Sequence, residues 1–426
     1  MYIARCMPAR GKVLVQRYAE AMLMHKLSGD VLQADQTRLE SNFDDWAAEW
    51  GNFFSGRTLP FGLVGARLTT QSLPAPHCVE TTPIKLPHET KVAGFNCTTT
   101  PARAARQRSY WRTVYANMKQ RGWEGPLFDY TVDEPSGCGS GDPQVCVQRW
   151  QILHDRAQLV HEADPRIRNM VTAEIEVVKA AHFMLVDSID IWCPTINTLD
   201  GRGSHASCTM MGSVNEKNFP KNVTTIGDYR NVKFLWMYQA CPSVGCGGQG
   251  CGNATDDKDP GRGVHSACIE GWPAFFAIDH PAVSQRIMQW ADFANNVTGE
   301  LYWGVLGQFG RVKHLLPKPD PALLWKDQWT NGANGDGNLF YPGAPEIISG
   351  KTHVPVESLR LKFLRDGVED FDLMRIAERH LGRHAVLQLI RPSFVNLGDW
   401  TRDAEILLTT RRALGKAVTA ALEMDD

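Results

Sequence analysis

The chain has 426 residues, 43% of them hydrophobic and 22% charged, and a net charge of −2 at neutral pH. This is a globular composition with no basic field for nucleic acid or an acidic membrane surface, so a neutral or weakly charged small ligand fits better. No apolar run approaches the roughly 18 residues of a membrane-spanning helix, and the N-terminal stretch lacks the apolar core and small-residue cleavage site of a signal peptide.

In chain order, "MYIARC" (1–6) reads as the remnant of a first strand, and "VLVQRYAEAMLMHKL" (13–27) has helical periodicity. "GDVLQ" (29–33) and "KVAGF" (91–95) are weaker strand candidates, taken as strands two and three. From residue 101 the periods alternate as in βα units. "PARAARQRSYWRTVYANMKQRGW" places Trp111, Val114, Tyr115 and Met118 on one helical face, and "GPLFDYTVDEP" follows as an apolar strand. Asp142 and Pro143 then give an N-cap and a first-turn proline to a helix carrying Cys146, Trp150, Leu153, Ala157 and Val160.

Further strands are expected at "NMVTAEI" (169–175), "SIDIWCPTI" (188–196), "VKFLWMYQA" (232–240) and "ELYWGVLG" (300–307), with a helix in "HPAVSQRIMQWADFANN". The Gly-rich segment 241–263 is a long loop. "NLFYPG" (338–343) connects to the helix "VESLRLKFLRDGVEDFDLMRIAERHL", and a second helical stretch ends the chain. The alternation implies a (β/α)8 TIM-like barrel over 1–382, incomplete at strand one, with a C-terminal helical extension over 383–426.

All eleven cysteines lie at or before Cys268, several in Gly/Pro/Asn-rich loops: Cys138 and Cys146 flank "GSGDPQV", and Cys241, Cys246 and Cys251 punctuate "CPSVGCGGQGC". This usage, with N-x-T sequons at Asn96, Asn222, Asn253 and Asn296, points to loop disulfides and a secreted or luminal protein whose natural N-terminus precedes the given start. For Cys6, Cys193 and Cys268 a buried thiol is the competing account.

Phosphate-loop, zinc-hydrolase and elbow-serine motifs are absent, and "NGANGDGN" (331–338) fails as a calcium loop because Gly332 and Gly343 fall at ligand positions. It reads as a turn-rich loop. Asp133 and Glu134 differ, since they lie where an apolar strand runs into Pro135 and Gly137. Successive strand residues point to opposite faces, so both acids can serve one pocket only where the strand breaks. A helix cap or a solvated turn is the plainer alternative. Trp192, Trp236, Tyr238, Tyr302 and Trp303 cluster at the ends of other strands beside Asn197 and Gln239, and Tyr130 precedes the acid pair. Flat rings stack on the C–H faces of sugars while amides and hydroxyls bind sugar hydroxyls; core packing is the alternative for each ring taken singly.

The blocks "YTVDEP", "DIWCP", "FLWMYQ", "GELYWGV", "NGDGNLFYPG" and "SLRLKFLRDGVEDFDLM", in that order, resemble the catalytic domain of glycoside hydrolase family 123, the β-N-acetylgalactosaminidases. The resemblance covers most of the chain, without the N-terminal β-sandwich common in that family. It implies a glycan or glycolipid substrate, no metal or organic cofactor, and substrate-assisted catalysis in which Glu134 is the general acid and base and Asp133 holds the 2-acetamido group. Taken together with the clustered rings, this makes Tyr130, Trp192, Asn197, Trp236, Tyr238, Tyr302 and Trp303 the expected substrate contacts. Two other readings stay open: a two-carboxylate glycosidase with Glu174 or Glu176 as nucleophile, and a non-catalytic carbohydrate-binding relative.

Overall fold

The computed structural model of the protein describes residues 11–29, 31–32, 36–57, 64–73, 79–84, 92–96, 101–125, 127–130, 143–173, 175, 187–196, 199, 225–239, 276–278, 280–307, 322–330 and 333–425. The chain divides into two compact units, one drawn mainly from residues 22–192 and the other from residues 2–21, 193–212 and 221–426. Helix α1 (Gly11–Leu23) belongs to the second unit except for its last two residues.

In the first unit, α2 (Gln36–Ser41), α3 (Phe43–Trp50) and α4 (Asn52–Ser55) precede β1 (Gln71–Leu73), a hairpin of β2 (Val79–Ile84) and β3 (Val92–Asn96), and α5 (Pro101–Gln120). Strand β4 (Leu127–Asp129), α6 (Pro143–Ala163), β5 (Arg168–Val171) and β6 (Ile191–Trp192) complete it. Strands β1, β4, β5 and β6 pair in parallel, with Ser72 opposite Phe128, Asp129 opposite Asn169, and Val171 opposite Trp192. All three residues of β1 and of β4 are buried, the signature of strands covered on both faces. The helical face marked in the sequence, Trp111, Val114, Tyr115 and Met118, is buried in α5, and Leu153, Ala157 and Val160 are buried in α6.

The second unit contains β7 (Phe234–Tyr238), α7 (Ala282–Arg286), α8 (Met288–Ala294), β8 (Gly299–Leu301) and α9 (Leu323–Lys326). There follow a hairpin of β9 (Trp329–Thr330) and β10 (Ala333–Asn334), strand β11 (Phe340–Gly343), α10 (Pro345–Ile348) and β12 (Val354–Glu357). The long helix α11 (Leu359–Leu381), α12 (Arg383–Ile390), a hairpin of β13 (Phe394–Asn396) and β14 (Asp399–Trp400), and α13 (Ala404–Asp425) close the unit. Strands β7 and β8 are parallel, with Trp236 opposite Gly299.

Asp370 of α11 gathers four donors: Arg286 Nε at 2.6 Å and Nη2 at 2.9 Å, Trp290 Nε1 at 3.1 Å and Arg411 Nε at 2.5 Å. It thereby ties α7, α8 and α13 to α11 and is only 1% exposed. Desolvation of an isolated carboxylate is costly, and two guanidinium groups with an indole N–H supply the compensating bonds.

The expected (β/α)8 barrel is not formed. Four parallel strands occur in one unit and two in the other, six among the described residues against the eight such a barrel requires. They are also short, from two residues in β6 to five in β7. The stretch 29–33, expected as strand two, forms no strand at its described residues: Val31 and Leu32 are buried, but the Val31 N–H donates to the Gln71 side chain at 3.1 Å. "KVAGF", expected as strand three, is extended but pairs antiparallel with β2 in a separate hairpin. Closing so short a connection costs little chain entropy, so the local partner wins over the distant one. "MYIARC" lies outside the described residues. The protein is therefore an α/β fold with six short parallel strands.

Candidate functional site

At the carboxyl end of β4, Asp129 is held by a buried bidentate pair with Arg156 of α6, Nη2 lying 2.6 Å from Oδ1 and Nε 3.0 Å from Oδ2. The same guanidinium lies 4.8 Å from the centre of the Trp111 ring on α5. A planar fork matches a carboxylate and also lies flat on an aromatic face, so one arginine joins strand end to both flanking helices. Tyr130, the next residue, shares a 3.1 Å hydrogen bond between its hydroxyl and Thr172 Oγ1, just past β5. Because β4 and β5 are parallel, these two strand ends lie side by side. Asp133 and Glu134 come three and four residues after Tyr130 in the sequence; they, Glu174, Glu176 and Asn197 lie outside the described residues.

Three of the expected ring contacts are deeply buried: Trp192 is 1% exposed, Tyr238 5% and Trp236 7%. Trp236 packs across Gly299, where even a Cβ would collide with its indole. Tyr302 and Trp303, just past β8, are half-buried. Their ring centres are 6.5 Å apart and the planes meet at 58°, so the two rings form a corner.

The polar edges of both rings converge on one atom. Asp336 Oδ1 accepts from the Tyr302 hydroxyl at 3.0 Å and from Trp303 Nε1 at 3.1 Å, and the Gly337 N–H donates to the Tyr302 oxygen at 2.6 Å. Asp336 is completely buried. Its flanking residues Gly335 and Gly337 have φ of +83° and +72°, a region L side chains rarely enter, and a Cβ there would strike the Arg360 guanidinium or the Trp303 indole respectively. Sequence "NGDGN" thus dictates a loop that puts an acid between two left-handed turns.

Backbone bonds fix that loop: Gly307 N–H to Gly337 O at 2.8 Å, Leu339 N–H to Val305 O at 2.9 Å, and Ile278 N–H to Asn334 O at 2.8 Å. Arg360, buried at the start of α11, donates through Nη1 to Gly335 O and Phe276 O, each at 2.6 Å. Burial lowers the pKa of this guanidinium, with Tyr302, Tyr341 and Asp336 acting in the opposite direction. Phe276 stands edge-on to Tyr302, ring centres 5.0 Å apart. Burial drives the Tyr302 hydroxyl well above the usual tyrosine range, reinforced by Asp336, so it stays a neutral donor. Asp336, Arg360 and Phe276 were not singled out in the sequence. The available signal was that "NGDGNLFYPG" and "SLRLKFLRDG" are specific blocks of the resemblance.

A second acidic group lies behind β8. Glu300 accepts from Gln289 Nε2 of α8 at 2.6 Å, and Asp292 of the same helix is buried. Burial pushes Glu300 up to about 7, the Gln289 bond working the other way. Burial, then the Glu300 charge, raises Asp292 well above the carboxylate range. The Gln289 bond ties Glu300 to α8, which also carries Asp292.

Among the described residues no three His, Cys, Asp or Glu side chains converge to hold a metal, and no helix is long and apolar enough to cross a membrane. Cys193 is the only cysteine whose side chain is described, and it is buried; the loop cysteines 138, 241, 246 and 251 lie outside the described residues. Asn296 is exposed in the turn after α8.

No family model matches the chain, and no curated protein matches it. Among solved structures the chain is similar to a family 123 glycoside hydrolase from Clostridium perfringens, described in connection with glycolipid glycan hydrolysis, at 13% identity and a TM-score of 0.35. The match covers 78% of this chain and 47% of that one, so the chain spans about half the length of the protein it resembles.

Proposed function

We propose that the protein is a glycoside hydrolase that releases terminal β-linked N-acetylgalactosamine from a glycan or glycolipid. The observation that carries this reading is the corner of Tyr302 and Trp303. Three blocks of the family resemblance, "GELYWGV", "NGDGNLFYPG" and the start of "SLRLKFLRDG", meet there and hold two half-buried rings by their polar edges. Such a surface suits the apolar face of a pyranose. Trp192, Trp236, Tyr238, Asn197 and Tyr130 complete the substrate contacts in this proposal, the buried rings through their edges.

Glu134 donates a proton to the glycosidic oxygen as the bond from the anomeric carbon breaks. The carbonyl oxygen of the substrate's own 2-acetamido group attacks that carbon and forms an oxazolinium ring. Asp133 accepts the acetamido N–H and offsets the developing positive charge. Glu134, now a carboxylate, takes a proton from water as the water oxygen opens the ring at the anomeric carbon. Two inversions retain the configuration. Two acids in one enclosed pocket separate their pKa values, which allows one to be protonated while the other is ionised.

The test is a panel of aryl β-glycosides with and without the 2-acetamido group, using wild type and Glu134→Gln. The N-acetylgalactosaminide is hydrolysed, the β-galactoside is inert, and Glu134→Gln loses about 10²–10⁴-fold on a poor leaving group, the usual contribution of a general acid. Comparable rates on both sugars, or a fluorosugar adduct on a carboxylate such as Glu174 or Glu176, would reject substrate assistance.

A further inference from the structure

We propose that Asp336 is a positioning residue: it touches no sugar, but its single oxygen Oδ1 locks Tyr302 and Trp303 into one corner-shaped platform for a pyranose ring. What the platform receives rests on the glycosidase reading above; the locking does not.

An aromatic ring beyond a strand end can swing about χ1 and χ2, and a stacking surface that must be ordered on binding loses affinity to side-chain entropy. Here both rings are fixed by their polar edges. The tyrosine O–H and indole N–H both reach Oδ1, at 3.0 and 3.1 Å, and the Tyr302 oxygen in turn accepts from Gly337 N–H. One acceptor shared by two donors anchors both rings at the same point, so rotating either ring breaks a hydrogen bond to Asp336. The acceptor itself cannot wander: Asp336 is fully buried, and Arg360 clamps the preceding carbonyl, Gly335 O, and Phe276 O. Gly337 packs beneath the Trp303 indole, where any Cβ would displace it. A purely structural acid would be expected to tie backbone to backbone; both side-chain bonds of Asp336 named here end on half-buried rings.

Two variants separate positioning from mere folding. Asp336→Asn keeps an oxygen at Oδ1 and both hydrogen bonds, whereas Asp336→Leu keeps comparable bulk without an acceptor. The first readout is the Trp303 indole 1H–15N resonance of the free protein, assigned by its loss in Trp303→Phe. The second is the split of KM and kcat on an aryl β-N-acetylgalactosaminide. Asp336→Leu shifts the indole resonance and raises KM about three- to tenfold, the scale of one aromatic contact, with kcat much less affected. Asp336→Asn restores both readouts.

An unmoved resonance in Asp336→Leu, or an Asn variant as impaired in KM as the Leu variant, overturns the proposal. Should Asp336→Leu fail to fold, Tyr302→Phe removes one of the two coupled donors, and an unchanged Trp303 resonance there overturns it equally. If wild type hydrolyses no glycoside while the resonance responds as stated, the glycosidase reading falls and the locking role stands.

Discussion

The half-buried Glu300 makes stability depend on pH in a direction opposite to that of an ordinary salt-bridged carboxylate. Its folded pKa is about 7 against an ordinary 4.5, so the folded state holds the proton longer than the unfolded chain. The stabilisation this provides is full below pH 4.5 and is lost as pH rises toward the folded value. Linkage then gives a contribution on the order of 2–3 kcal/mol at pH 5 and almost nothing at pH 8. In Glu300→Gln the side chain is neutral at every pH and still accepts from Gln289, and Asp292 no longer faces a charge at Glu300. The assay is guanidinium denaturation of both proteins at pH 5 and pH 8, with stabilities extrapolated to water. Wild type should lose on the order of 2–3 kcal/mol more than the variant between the two pH values. Parallel losses in the two proteins would refute the argument that burial holds the proton on Glu300.

Asp370→Asn keeps the size of the hub but removes the carboxylate that bonds the part-buried Arg286 most closely, leaving Asp366 at 3.7 Å; a loss of about 1.5–3 kcal/mol, the scale of hydrogen bonds to a charged group, is expected from the denaturation midpoint. Gly337→Ala forces a side chain into a left-handed residue and into the Trp303 indole; it should destabilise by at least ~1 kcal/mol and alter the near-ultraviolet dichroism of the aromatic residues. A wild-type spectrum and midpoint in that variant would contradict the close packing described.

Burial was legible where it had a period. The face Trp111, Val114, Tyr115 and Met118 recurs at helical spacing because one side of α5 meets the core. Pairing was not legible, since it depends on residues far away. "KVAGF" is extended as its pattern suggests, yet its partner is β2, and nothing within those five residues distinguishes a neighbouring hairpin from a central parallel strand. Val31 and Leu32 show the converse: both are buried, but a loop fixed by the Gln71 side chain can bury two apolar residues as well as a strand can.

The candidate site was legible in its rings and not in their support. Tyr302 and Trp303 stand out beside a strand end, whereas Asp336 sits in a run of glycines and asparagines that has the composition of any turn. Its meaning comes from partners more than thirty residues earlier in the chain. Likewise, the sequence gives Glu300 the look of a strand's first polar residue; that it titrates against Asp292 follows only from α8 lying behind β8.

The four donors at Asp370 also carry a consequence for synthesis on the ribosome. Arg286 and Trp290 precede Asp370 in the chain, but Arg411 emerges well after it. A nascent chain that has released α11 but not α13 can bring Asp370 together with one guanidinium group and still lacks the second. The second unit therefore reaches its full complement of charge at Asp370 only after α13 has left the exit tunnel.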